Sequence, residues 1–155
     1  MPILKLESEL NLHTRCENQI ENEINRRPPR AGDILLVEEY RTRYPYGMHR
    51  PVGPSRQYNC HGLTFASRRT WIWKPSEIEK ILKDDEYETV VELENVLPGD
   101  IVIYSQDGDV EHSGIVLSVD PVPLILSKWG SSHEVIHKIN ECPYSGSITF
   151  HRIRT

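Results

Sequence analysis

The spacing of apolar residues changes partway along the chain and divides it into two parts. Up to about residue 85 the apolar positions recur mainly at helical spacing, and beyond it they alternate as they do in strands. Helices followed by consecutive antiparallel strands predict an α+β domain with a barrel-like antiparallel sheet.

The first predicted helix spans residues 14 to 27. Thr14 and Glu17 match a Ser/Thr-x-x-Glu capping box, and Cys16, Ile20 and Ile24 recur every fourth residue as one apolar stripe. The stripe indicates a packing role for Cys16. Two prolines follow at residues 28 and 29 and are expected to end the helix.

A second helix is predicted from Asn59 to about Arg69, with Asn59 as its N-cap and Cys60 in its first turn. Gly62 costs about 1 kcal/mol against alanine in a helix interior, so it indicates close approach of another chain segment. Pro75 opens a third helix whose inner face is apolar.

Short strands are predicted from apolar runs bounded by turn residues. They lie at residues 34–37, 90–93, 101–104, 112–119, 124–129, 134–139 and 147–154. Asp107-Gly108-Asp109 is a strong hairpin signal. Residues 41–57 are rich in proline, glycine and arginine and are predicted to be a loop, either a basic rim for an acidic substrate or simply solvated.

Composition narrows the class of protein. The chain has 155 residues, a formal charge of −5, and 37% hydrophobic and 26% charged residues. We expect a single globular domain over 1–155, with an N-terminal helical extension at 1–30 and a catalytic core at 57–155. An acidic chain without a long apolar run predicts no nucleic-acid or membrane partner. The start of the chain has no signal-peptide pattern, so a cytoplasmic protein is expected, with specialised secretion still open.

The three cysteines, Cys16, Cys60 and Cys142, are far apart and do not suggest a disulfide framework. Cys60 differs from the other two because a helix N-terminus favours a thiolate, and a depressed cysteine pKa makes a nucleophile. A thiolate also needs a base. His112, at the start of an apolar strand, is the best candidate.

The order of helix cysteine, strand histidine and polar residue on the next strand resembles the NlpC-type cell-wall peptidases and the CHAP amidases, which are papain-like cysteine hydrolases. The resemblance covers roughly residues 57 to 130. It rests on Pro98-Gly99-Asp100-Ile101-Val102-Ile103-Tyr104, the hairpin, His112-Ser113-Gly114-Ile115-Val116-Leu117, and Leu124-Ile125-Leu126-Ser127-Lys128-Trp129-Gly130. It departs at the third catalytic position, where serine stands in place of asparagine, histidine or glutamate.

This resemblance implies a papain-like fold and hydrolysis of a peptide or isopeptide amide, with acyl transfer to an amine as a variant. Ser127 takes the orienting position and Trp129 shields the histidine contact. Tyr58, or Gln57 beside it, supplies a side-chain oxyanion donor, next to the backbone N–H of Cys60. No cofactor is implied. The substrate is expected to be a peptide, and peptidoglycan stem peptides are the commonest substrate of the families it resembles. A cytosolic protein substrate and delivery as a toxin effector both stay open, and any protein partner is unidentified.

Two alternatives stay open. His133-Glu134-Val135-Ile136-His137 fits H-E-x-x-H, which on a helix binds zinc through His133 and His137 with Glu134 as general base. The β-branched residues and the short space before Pro143 also fit a strand. The third interpretation is a catalytically inactive papain-like binding module, with its triad incomplete at Ser127.

Overall fold

A computed structural model describes residues 7–154 of the chain. Its elements in chain order are β1 (Glu7–Ser8), β2 (Ile24–Asn25), α1 (Ala31–Arg43), β3 (Met48–His49), α2 (Cys60–Ala66), α3 (Pro75–Asp84), β4 (Tyr87–Val90), a 3-10 turn (Leu93–Asn95), β5 (Ile101–Gln106), β6 (Asp109–Ser118), β7 (Leu124–Lys128), β8 (Glu134–Lys138) and β9 (Ser147–Ile153).

Seven strands form one sheet in the order β3-β8-β7-β6-β5-β9-β4, and each neighbouring pair is antiparallel. β1 and β2 pair separately as a short two-stranded ribbon. The α+β class predicted from the sequence is therefore confirmed. No helix in the described range is long and apolar enough to cross a bilayer.

The two faces of the sheet are covered differently. On one face α2 packs on β6 and β7, and α3 packs on β4 and β6. Ile101 and Ile103 of β5 join Ile72, Ile78 and Ile81 in one apolar cluster on this face. On the other face a larger cluster contains buried residues of β5, β6, β7 and β8, and Tyr40 of α1 packs against it. Side chains that alternate along a strand therefore enter two different environments.

The helix predicted over residues 14–27 is wrong. Its described residues form turns, an isolated bridge between His13 and Gln19, and β2. Ile20, Asn22 and Ile24 are buried while the residues between them are more exposed, so the period is two, not four. The polar Asn22 hid this alternation: its side-chain amide pairs with Leu10.

The strand predicted at residues 34–37 is also wrong, because α1 spans it. Ile34 and Leu35 are exposed, and the α1 residue that is fully buried is Asp33. Asp33 accepts a hydrogen bond from the Arg30 backbone N–H at 2.8 Å and so caps the helix. The predicted loop at 41–57 accordingly begins with the end of α1 and also contains β3.

From Asn59 onward most predicted elements are present, with shifted ends. The strand predicted at 90–93 is wrong, because β4 spans Tyr87–Val90 and Leu93 begins the 3-10 turn. The helix that begins at Asn59 ends at Ala66, several residues earlier than predicted, because Ser67 adopts a left-handed conformation with φ 51°. Residues 134–138 form strand β8. The β5–β6 hairpin turns at the predicted Asp107-Gly108, where both residues have positive φ.

Candidate active site

Cys60 is the first residue of α2, and hydrogen bonds of the preceding Asn59 to residues that follow fix its position. Asn59 Oδ1 accepts a hydrogen bond from the Gly62 N–H at 2.9 Å, and Asn59 Nδ2 donates to the Ile72 carbonyl at 2.9 Å. The predicted N-cap is confirmed. A Cβ on Gly62 would lie 1.7 Å from the Thr70 carbonyl oxygen, which explains the glycine.

The Cys60 sulfur faces several donors but is largely out of water. Backbone N–H groups of Ser113, His61 and Cys60 itself favour its thiolate, as does the charge of Lys128. Burial opposes them and is the larger effect, so it raises the pKa of the Cys60 thiol to about 11. The depressed pKa expected from the helix N-terminus is therefore wrong for the free protein, in which the thiol is neutral.

His112 lies on β6 directly before Ser113, whose N–H faces Cys60. Its ring is completely buried and stacks on Tyr144 with ring centroids 3.7 Å apart and planes 7° apart. Neither ring nitrogen has a hydrogen-bond partner among the described residues. Burial, helped by the nearby His137 and His61, holds the pKa of His112 well below its ordinary value.

No hydrogen bond joins Cys60 and His112, and the His112 ring lies beside Tyr104 on the face of β6 opposite to Ser113. Tyr144 connects the two, since it stacks on the imidazole and also interacts electrostatically with Cys60. Ser113 points the other way, toward α2, where its Oγ lies 2.8 Å from His61 Nδ1 and 3.0 Å from Thr64 Oγ1.

Ser127 and Trp129 lie together on β7 and just after it, but they bond to a different histidine. Trp129 Nε1 donates to Ser127 Oγ at 3.1 Å, and Ser127 Oγ lies 2.8 Å from His137 Nε2. His137 Nδ1 is 2.7 Å from the Lys138 carbonyl, so Nδ1 carries the proton and Ser127 donates to Nε2. The structure shows no bond between Ser127 and His112.

The predicted oxyanion donors are occupied or remote. Tyr58 is buried and its hydroxyl donates to Glu134 Oε2 at 2.5 Å. Gln57 is exposed, and its backbone N–H donates to Ser55 Oγ at 3.1 Å. The third predicted donor, the backbone N–H of Cys60, lies at the start of α2.

The H-E-x-x-H segment does not form the helix that a zinc protease site needs. Residues 134–138 are strand β8, so Glu134 points to the opposite face from His133 and His137. Glu134 is bound by Arg68 at 2.6 Å and by Arg50 at 3.2 Å. Within residues 7–154, no three histidine, cysteine, aspartate or glutamate side chains are grouped to hold a metal. The zinc interpretation is wrong.

The two histidines of this motif instead belong to hydrogen-bonded pairs in the core. His133 Nε2 lies 2.7 Å from His49 Nδ1, and His49 Nε2 lies 2.7 Å from the Tyr44 carbonyl. The rings of His49 and His133 both pack edge-on against Trp129. Trp129 is thus the centre of a buried aromatic cluster, which is a structural role in addition to the shielding role predicted for it.

Comparison with known proteins identifies a family. The family model described as "Domain of unknown function (DUF7689)" matches residues 52–150, more than half of the chain. The chain belongs to the DUF7689 family. No curated protein matches the chain, and no solved structure matches it.

The DUF7689 segment contains two site residues that sequence reasoning missed. Tyr144 follows β8 and stacks on His112, and nothing in its local sequence marks it. Lys128 is completely buried on β7 and interacts electrostatically with Cys60. The sequence did contain a signal for the burial of Lys128. Strand alternation puts Lys128 on the same face as Leu124 and Leu126 and so predicts a buried ammonium.

Proposed function

We propose that this DUF7689 protein is a papain-like cysteine hydrolase that cleaves a peptide or isopeptide amide, with Cys60 as nucleophile and His112 as base. The observation that carries the proposal is the unpaired imidazole of His112. Buried polar atoms nearly always have a partner, so an exception calls for an explanation. A base kept free to accept the proton of the Cys60 thiol is such an explanation.

The proposed reaction starts from a neutral pair. Burial raises the pKa of Cys60 to about 11 and lowers that of His112, so a thiolate–imidazolium pair is not the resting state. His112 takes the Cys60 proton as the sulfur attacks the amide carbonyl, and then gives it to the leaving amine. Water releases the acyl group in hydrolysis, whereas an amine would release it in transfer.

The start of α2 supports the negative charge of the tetrahedral intermediate. The Cys60 N–H is free of helical bonding because it lies in the first turn. Ser127 supports the imidazole in a limited way. The Ser127 hydroxyl donates its hydrogen bond to His137, but its oxygen keeps a lone pair that can accept a hydrogen bond from an N–H of His112.

The test uses activity and labelling together. Purified protein is incubated with fluorogenic peptide amides, an isopeptide-linked peptide and peptidoglycan fragments, and Cys60 labelling by iodoacetamide is followed by mass spectrometry. Cys60→Ala should abolish turnover, and His112→Asn should lower it at least about a thousandfold, because the two act as a unit. His151→Asn, on the half-exposed part of β9, is the matched histidine control and should retain activity.

Turnover of the same substrates by folded Cys60→Ala protein would contradict the proposal. The competing candidate is a papain-like binding module, which the burial and raised pKa of Cys60 favour. It predicts that the folded protein turns over none of these substrates, and that Cys60 is labelled equally slowly in the wild type and in His112→Asn.

A further inference from the structure

Two tryptophans that follow α2 form an aromatic stack at the surface. The rings of Trp71 and Trp73 are parallel to within 22°, and their centroids are 4.3 Å apart. Trp73 is 61% exposed, whereas Trp71 is half-buried. An indole that stays exposed beside a second one presents a large apolar surface, and tryptophan is enriched where proteins bind other molecules. The exposed ring of Trp73 is therefore a candidate contact surface.

Hydrogen bonds to two other segments fix this stack. The indole N–H of Trp71 donates to the Arg56 carbonyl, in the loop before α2. The Trp71 backbone exchanges two hydrogen bonds with Glu23, at 2.8 and 2.9 Å. Ile72 is completely buried, and its N–H and carbonyl both bond to the Asn59 side chain. The segment that carries the exposed ring is thus preorganised, which lowers the entropic cost of binding a ligand.

Two surface cavities share Trp73 and Glu23. The larger one, of about 240 Å³, is lined by two tryptophans and four polar residues: Trp71, Trp73, Glu23, Asn25, Arg56 and Ser131. The smaller one, of about 190 Å³, adds three polar residues to the shared pair: Glu21, Asn22 and Lys74. An aromatic wall and a carboxylate therefore line the same space.

The charges around these cavities leave one carboxylate without a cation. Lys74 Nζ lies 2.9 Å from Glu21 Oε2, and Arg56 Nε lies 2.8 Å from Asp33 Oδ2. Glu23 has no ion pair with any residue that the structure describes. Three carboxylates thus face two cations, and the negative charge left over is that of Glu23.

We propose that Trp73 and Glu23 form a binding site for a basic side chain of a peptide, an ammonium or a guanidinium that lies over the indole and pairs with the carboxylate. The face of an aromatic ring attracts a cation, and tryptophan does so most strongly. A guanidinium also stacks on aromatic rings and can donate two parallel hydrogen bonds to a carboxylate. The inference does not depend on the proposed hydrolase activity, because binding needs no reaction at Cys60.

The unpaired carboxylate favours a cationic ligand over a neutral one. A sugar ring or an apolar side chain can also lie on an indole, but neither compensates the charge of Glu23. The chain as a whole has a formal charge of −5, which attracts cations to its surface. The nearby ammonium of Lys128 does not fill the site, since it lies over the ring of Trp71, 5.7 Å from the centroid.

Two-dimensional NMR of the indole N–H groups tests the site. The chain has three tryptophans, and Trp129 is completely buried, so its signal is an internal reference. Acetylated and amidated Gly-Arg-Gly, Gly-Lys-Gly and Gly-Gln-Gly peptides are titrated into the protein. The arginine and lysine peptides should shift the signals of Trp71 and Trp73 in a saturable way and bind more weakly as salt is added. The neutral glutamine peptide should bind at least about tenfold more weakly.

Three variants assign the effect to the two proposed residues. Trp73→Leu keeps an apolar side chain without a π-system and should weaken binding of the arginine peptide about fivefold, measured on the Trp71 signal. Glu23→Gln removes the charge and should weaken it about threefold and reduce its salt dependence. Glu79→Gln, exposed on α3, changes the net charge equally and should leave binding unchanged.

Equal binding of the glutamine and arginine peptides, or unchanged binding of the arginine peptide by Trp73→Leu, would overturn the inference. If Trp73→Leu does not fold, Glu23→Gln decides alone, because the bridge between Glu23 and Trp71 uses only backbone atoms. A trimer of N-acetylglucosamine is the neutral comparison. Saturable shifts of the same signals by this sugar, with none by the cationic peptides, would assign the site to a carbohydrate and would also overturn the inference.

Discussion

Burial favours the neutral forms of both Cys60 and His112. Each group loses hydration in its charged form, and the backbone N–H groups around the sulfur do not compensate. The resting Cys60 is therefore protected against non-specific thiol chemistry, because only a thiolate attacks. Reactivity then depends on groups that stabilise these charges, which is the part that the start of α2 plays in the proposal.

A substitution of Ser127 can distinguish a role in the stability of the core from a role in the proposed reaction. Ser127→Ala leaves Trp129 Nε1 and His137 Nε2 buried without partners, so the free energy of unfolding should fall by about 1–3 kcal/mol. If its oxygen also orients His112, kcat/KM should fall by about tenfold, the value of one neutral hydrogen bond. Denaturant unfolding and kcat/KM are measured beside Cys60→Ala.

Ser76→Ala, exposed in α3, is the control for this experiment and should change neither quantity. A loss of kcat/KM as large as that of Cys60→Ala would give the hydroxyl a catalytic role beyond orientation. Unchanged activity with lowered stability would show that Ser127 supports only the core and would move the third position to Lys128 or His137.

At the scale of elements, α2 is too short to be stable by itself, since it spans Cys60–Ala66. The Asn59 side chain makes two hydrogen bonds to the Ile72 backbone, one to its carbonyl and one from its N–H. Gly62 lets the Thr70 carbonyl approach the helix closely. The segment after α2 thus returns along the helix and fixes the position of the nucleophile. Sequence patterns predicted this helix well because its cap and its glycine are local signals.

Gly62→Ala tests this docking. The added Cβ would lie 1.7 Å from the Thr70 carbonyl oxygen, so backbone must move and the free energy of unfolding should fall by more than about 2 kcal/mol. Gly32→Ala is the matched control, because it is also helical but has no atom within 4 Å of the new Cβ. It should be neutral or stabilise the protein by up to about 1 kcal/mol. Thermal and urea unfolding compare the two; equal effects would contradict the packing argument.

The helix predicted at 14–27 and the strand predicted at 34–37 failed for a different reason. Both predictions depended on tertiary contacts that local patterns do not show. Ile20 and Ile24 fit a helical and a strand period equally well, and the buried Asn22 that distinguishes the two is polar. Ile34 and Leu35 suggested a buried strand, but α1 leaves them exposed and packs against the sheet through Tyr40.

Across the whole molecule, the sequence predicted the elements that contain the candidate residues better than it predicted the contacts between those residues. The order Cys60, His112, Ser127 follows α2, β6 and β7 along the chain, and the structure has those elements. It could not show that Ser127 bonds His137, or that Tyr144 stacks on His112, since these contacts join distant segments. Side-chain hydrogen bonds across a sheet have no local signature.

The whole molecule should also be sensitive to mild acid, because it buries several neutral histidines. Burial lowers the pKa of His61, His133 and His137 to about 4 in each case. In the unfolded chain these groups take up protons near pH 6.5, whereas the native protein does so only near pH 4. Their stabilising contribution is thus complete above pH 6.5 and is lost as the pH falls toward 4.

Each such histidine contributes a slope of up to about 1.4 kcal/mol per pH unit between those two pKa values. Urea unfolding at about pH 7.5, 6 and 5 should therefore show a free energy of unfolding that falls with pH. His133→Asn should make this dependence shallower, whereas His13→Asn, at an exposed position, should leave its slope unchanged. A free energy that stays level down to pH 5 would mean that the buried rings take up protons without unfolding, and the core would then have to be wetter than its packing around Trp129 implies.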